Sequence, residues 1–78
     1  MICDAKLKHD DLIFDVKVSL GKSVIFIFKN SLPDNIIPQT NDYITLDFES
    51  TCLSIKSVTP LISENNEFSN YALNVELA

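Results

Sequence analysis

The chain has no arginine and no tryptophan, and one glycine, one histidine and one methionine among its 78 residues. Each shortage excludes something. Arginine's planar fork is the usual tool for gripping phosphate and nucleic acid. This chain sets eleven Asp and Glu against six lysines, for a formal charge of −5. Without arginine, such a chain is poorly suited to nucleic acid, to large polyanions and to anionic membranes. The longest apolar run is Val24-Ile25-Phe26-Ile27-Phe28, far short of the ~20 residues of a membrane-spanning helix. The start, Met1-Ile2-Cys3-Asp4, has neither the basic opening nor the apolar stretch of a secretion signal. A cytoplasmic protein with no direct membrane insertion is the expectation. Two cysteines, Cys3 and Cys52, are too few for a disulfide framework. They read either as two reduced, partly buried thiols or as one disulfide needing Cα atoms within roughly 7 Å.

What is present is apolar patterning. The apolar fraction of 46% is enough for a globular core, and the length suits one domain spanning 1–78. Leu12, Phe14, Val16, Val18 and Leu20 fill every even position from 12 to 20, separated by Asp15, Lys17 and Ser19, with Ile13 the apolar exception. A period of two marks a half-buried strand. Ser23 to Lys29 is apolar on both faces and predicts a central strand. The link Leu20-Gly21-Lys22-Ser23 makes these two runs a hairpin.

Cys3, Ala5 and Leu7 alternate with Asp4, Lys6 and Lys8 to give a short first strand, turning at His9-Asp10-Asp11. Residues 30–41 hold Pro33, Pro38 and several turn formers and predict a loop. Ile36 and Ile37 tuck over one end of the core, and a single helical turn fits 31–38 or 60–66. Ile44, Leu46 and Phe48 face inward on a later strand, with Tyr43, Thr45 and Asp47 outward. Glu49 to Thr51 is a turn. Leu53 and Ile55 open another strand, and Val58 falls out of phase, which predicts a bulge or the strand's end near Pro60. Residues 63–69 read as polar loop, and Tyr71, Leu73, Val75 and Leu77 as a last strand. About six short strands in so small a chain predict an all-β fold, a small OB-like barrel of five to six antiparallel strands.

Gly21-Lys22-Ser23 invites a phosphate-loop reading. That motif's first glycine would fall on Val16, and a β-branched run follows where a helix is required. Gly21 therefore serves a turn, by its backbone freedom. His9-Asp10-Asp11 is the one histidine with flanking acids. Neighbouring strand residues point apart, and a metal site needs three or four converging ligands, so a solvated turn is the reading and no metal or cofactor is expected. Asp42, Asp47 and Glu49 are close in sequence, with Asp47 and Glu49 on one strand face. They are the carboxylates an enzyme would use, but outward acids on an edge strand also serve solubility. The chain is read as no enzyme. Phe14, Phe26, Phe28 and Phe48 fall mostly on apolar phases and read as core rather than a stacking platform.

From residue 3 to about 58 the order of features resembles the TOBE (transport-associated OB) domain of ABC-importer ATP-binding proteins. Phe14 to Ile27 looks like its Gly-containing hairpin. Ile37-Pro38-Gln39-Thr40-Asn41-Asp42-Tyr43-Ile44-Thr45-Leu46-Asp47-Phe48 looks like its second segment, with Asn41 where glycine is usual. Leu53-Ser54-Ile55 looks like the closing strand. The Ser-x-x-Asn start of molybdate-binding relatives is missing, so oxyanion binding is not carried over. The resemblance implies a non-enzymatic accessory or regulatory domain of an importer ATPase. Its partners would be the ATPase domain or subunit, a second copy in a homodimer, or a small-molecule ligand. Ile36, Ile37, Tyr43 and Phe28 are then the candidate contact residues. The alternative is a stand-alone acidic interaction module or inhibitor that docks on a basic partner. A contiguous acidic face favours the alternative, and singly spread acids favour the accessory domain.

Overall fold

The computed structural model describes residues 2–22, 24–62 and 68–78, without side-chain placement at 62, 68 and 69. Six strands form: β1 (Ile2–His9), β2 (Leu12–Leu20), β3 (Ile25–Phe28), β4 (Tyr43–Leu46), β5 (Cys52–Ile62) and β6 (Phe68–Leu77). They close into a barrel in the order β1-β2-β3-β6-β5-β4, every pairing antiparallel. β4 returns by a long connection to lie beside β1, so the first four strands trace a Greek key. The β5–β6 hairpin completes the circle. Closure pairs the backbone of β3, which as an open edge would be an aggregation site. Among the described residues, no helix is long and apolar enough to cross a membrane.

The period-two pattern fixes which residues face in. Ala5, Leu7, Val16, Val18, Ile25, Ile27, Ile44, Leu46, Ile55 and Leu73 form the buried core. β-Branched residues dominate it because their stiff side chains pack on a pleated surface. Phe14 packs half-buried against this core, as its phase predicts. Phe26 and Phe28 lie on the outer face of β3 and are half-buried, so this strand is covered on its outer side only in part. Leu12 breaks its pattern and is 56% exposed, because the β1–β2 hairpin runs past the pairing of β2 with β3, which spans only Val18 to Leu20.

Turn chemistry differs from expectation in informative ways. Gly21 has no positive φ. Its N–H donates to the Val24 carbonyl at 2.9 Å. A Cβ there would stand 3.0 Å from Phe26 Cε2 and from Val24 Cγ1. Glycine is needed for close approach, not for backbone freedom. The left-handed positions belong instead to Asp10, Asn35, Asn41 and Ser50, and Asn and Asp tolerate that region better than most residues.

The β3–β4 connection starts with a 3-10 turn, Lys29–Ser31, just ahead of the 31–38 window. Ser31 Oγ donates to the Phe28 carbonyl at 2.8 Å. The loop then runs through a fully buried Pro38. β5 continues through Pro60 to Ile62, with its bulge between Ile55 and Ser57, so the bulge rather than a strand end explains Val58. β6 begins at Phe68, earlier than the alternation alone suggests. Residues 63–67 lie outside the described residues.

Candidate interaction surface

The outer face of the barrel is built by register. The β1–β2 ladder sets Asp4 opposite Lys17 and Lys6 opposite Asp15, and both pairs form salt bridges. The hydrogen bond and charge of Asp15 raise the Lys6 pKa above its ordinary value, with a smaller contribution from Asp47. Asp4 does the same for Lys17. Exposed pairs of this kind add little stability, but they neutralise the acids beside them. Lys56 and Glu76 approach to 3.9 Å on the β5–β6 side. Among the described residues the acids on these strands are interleaved with lysines.

Beside these pairs the surface turns apolar. Register carries Ile13 on β2 across to Lys8 on β1 and Tyr43 on β4. The next row carries Lys6 to Thr45 and Cys52. These six residues line a groove of about 470 Å³. Ile13 is 64% exposed and Tyr43 40%. The long stems of Lys6 and Lys8 suit an apolar wall with a charged rim. At the end of the same β4–β5 hairpin stands Phe48, 56% exposed. The inward phase of Ile44 and Leu46 does not reach it, because β4 ends at Leu46. There the chain turns, with the Ser50 N–H donating to the Leu46 carbonyl at 2.8 Å.

The four contact candidates do not share one surface. Tyr43 lines the groove just described. Phe28 lines a larger, open one of about 820 Å³ with Ile2, Asp4, Lys17 and Ser31. Ile36 and Ile37 border a small cleft of about 230 Å³ with Leu32, Pro33 and Tyr71. Ile36 is half-buried and packs on the core, so it is largely a structural residue, while Ile37 is 52% exposed. Ile13 is the apolar exception already visible in the outward phase of β2, whereas Cys52 and Phe48 are surface groups that strand phase alone did not single out. The outward row becomes legible once β1 is paired with both β2 and β4.

His9 is not a solvated turn residue. It ends β1 with its side chain only 15% exposed, and its Nδ1 lies 2.7 Å from Asp42 Oδ2. Asp42 is itself buried, and the same oxygen accepts the Gln39 N–H at 3.0 Å. His9 Nε2 faces Asp10 at 3.6 Å. The hydrogen bond to Asp42 raises the His9 pKa above 6.5, against an opposing effect of burial. A general base needs a free ring lone pair facing substrate. Here each ring nitrogen faces a carboxylate, which suits a structural clamp. Asp42 thus lies in this clamp, while Asp47 and Glu49 lie in the β4–β5 turn rather than on one strand face, so the three carboxylates do not converge. Among the described residues no group of three or more His, Cys, Asp and Glu is placed to hold a metal ion. Cys3 is half-buried, Cys52 is exposed, and neither is bonded. Comparison with protein-family models, with curated proteins and with solved structures returned no match.

Proposed function

We propose that this barrel is a non-enzymatic interaction domain that docks through an apolar face. The observation that carries the reading is the groove of Ile13, Tyr43, Thr45 and Cys52, rimmed by Lys6 and Lys8. Among the described residues the buried core forms without these exposed apolar groups. A contiguous apolar surface with a polar rim is the usual anatomy of a docking site. The interleaved lysines and acids of β1 and β2 favour an accessory domain over an acidic decoy, whose partner would need one uninterrupted negative face.

In its most specific form the reading follows the resemblance to the TOBE domain: a cytoplasmic accessory or regulatory domain of an ABC-importer ATPase. The test begins with the native gene neighbourhood and an importer ATPase encoded there. Mixing that ATPase with the barrel and measuring mass by light scattering is expected to give a complex. Tyr43→Ala is expected to weaken it at least about tenfold, as for a central aromatic anchor. Absence of a complex with the ATPase removes the importer assignment. A complex indifferent to Tyr43→Ala removes the groove from it.

A further inference from the structure

The groove and the turn beside it are complementary to each other. The turn carries Phe48 between two acids, Asp47 and Glu49. Its shape is fixed in advance. The Asp47 N–H donates to the Asp4 carbonyl at 3.1 Å and the Ser50 N–H to the Leu46 carbonyl at 2.8 Å, and Ser50 sits in the left-handed region. A knob held this way loses little conformational freedom on binding. The groove offers an apolar floor from Ile13 and Tyr43 and two lysines at its rim. Lys6 is already paired with Asp15. Among the described residues, neither Lys8 nor Glu49 has an ion-pair partner.

We propose that the groove is filled by the β4–β5 turn of a second copy of this chain, Phe48 entering beside Tyr43 and Glu49 meeting Lys8. The β4–β5 hairpin supplies both parts, since Tyr43, Thr45 and Cys52 line the groove and Phe48 tips the turn. Two hairpins laid antiparallel therefore satisfy both contacts at once. That is an isologous, self-closing pair, which stops at a dimer. The proposal rests on the groove being a docking surface and names its occupant. The interface is small. A standard stable interface hides about 800 Å² per partner and takes roughly 20–30 residues a side, whereas six residues line this groove and one aromatic knob fills it. The pair is therefore weak, dissociating at roughly 10–100 μM.

Sedimentation velocity of the full chain from about 5 to 500 μM is expected to show a monomer shifting to a dimer. Lys8→Glu and Glu49→Lys, both at exposed positions, are each expected to weaken association at least about tenfold by placing like charges together. An equimolar mixture of the two variants is expected to dimerise again, because each then presents the charge the other lacks. Circular dichroism of each variant confirms that the fold is kept. A strict monomer over the whole range overturns the proposal, as does a dimer indifferent to either reversal or a mixture that stays monomeric. A monomer that still loses ATPase binding on Tyr43→Ala would overturn the second copy while leaving the docking surface standing.

Discussion

At one end of the barrel His9 and Asp42 meet at 2.7 Å with Pro38 fully buried nearby, whereas at the other Ile2, Phe48 and Leu77 stand 66, 56 and 78% exposed. The first end is finished by directional bonds. Asp42 takes a ring nitrogen and the Gln39 amide on its side chain, and its carbonyl takes the Ile55 N–H at 2.9 Å. Asn41, left-handed, sends its own N–H to the Ile55 carbonyl at 2.9 Å. The second end is finished by apolar side chains that find no cover among the described residues. Buried polar groups lose much when a partner is removed, while exposed apolar groups contribute little to the fold and are free to bind something else. The contrast separates the end that holds the barrel shut from the end that carries Phe48, while the groove of Lys8, Ile13 and Tyr43 runs along the outer face from beside the clamp toward that second end.

Asp42→Ala tests that contrast where the effect is largest. It removes the acceptor shared by His9 and the Gln39 amide, leaving polar groups in a mostly buried site. The expected loss is about 1–3 kcal/mol of stability in urea unfolding. Leu77→Ala at the other end is expected to change stability by under about 0.5 kcal/mol. Equal losses at the two ends would dissolve the distinction.

How much of this was legible in the sequence depended on the range of the signal. The alternation from Leu12 to Leu20 placed Val16 and Val18 in the core, since a strand's faces follow from parity alone. The outward placement of Tyr43 followed the same way. Phe48 was misread because parity persists on paper after the strand has ended. Gly21 was assigned to the right turn for the wrong reason, since the approach of the Phe26 ring is a tertiary fact. The His9–Asp42 clamp needed pairing between strands distant in sequence. β1 and β4 align Ala5 with Leu46, Leu7 with Ile44 and Lys8 with Tyr43, and one further step sets His9 opposite Asp42. Both continue the inward phase of their strands, Leu7 to His9 and Ile44 to Asp42. A polar residue continuing the core phase on each of two strands was the available signal. The docking groove spans β2, β1, β4 and the start of β5 and had no counterpart within any one strand.

The clamp also makes the closed end sensitive to pH, a smaller effect contained within the loss from Asp42→Ala. Asp42 holds the folded His9 pKa above its unfolded value of 6.5. A raised pKa means that the folded chain binds the proton more tightly than the unfolded one. The stabilisation is therefore full below about pH 6.5 and disappears as pH rises through the folded value. Melting temperature is expected to fall as pH rises above about 6.5 and through the raised folded pKa of His9. His9→Gln keeps a donor for Asp42 but does not titrate, so it is expected to flatten that slope. An unchanged slope in the variant would assign the pH dependence to other groups and leave the clamp as a simple hydrogen bond.

At the other end, Phe48→Ser is expected to have the smallest effect on folding and a decisive one on association. Its ring is more than half exposed and lies outside the core, so the change in unfolding free energy should stay within about 0.5 kcal/mol. The turn that carries it is held by backbone bonds from Asp47 and Ser50, which serine leaves intact. Binding responds differently, because an aromatic anchor seated in a groove is where interface energy concentrates. A barrel that melts as before but no longer sediments as a dimer would place Phe48 wholly on the docking side of the contrast. A loss of stability comparable to that of Asp42→Ala would instead mean that this turn helps hold the barrel closed, and that its exposure conceals a structural role.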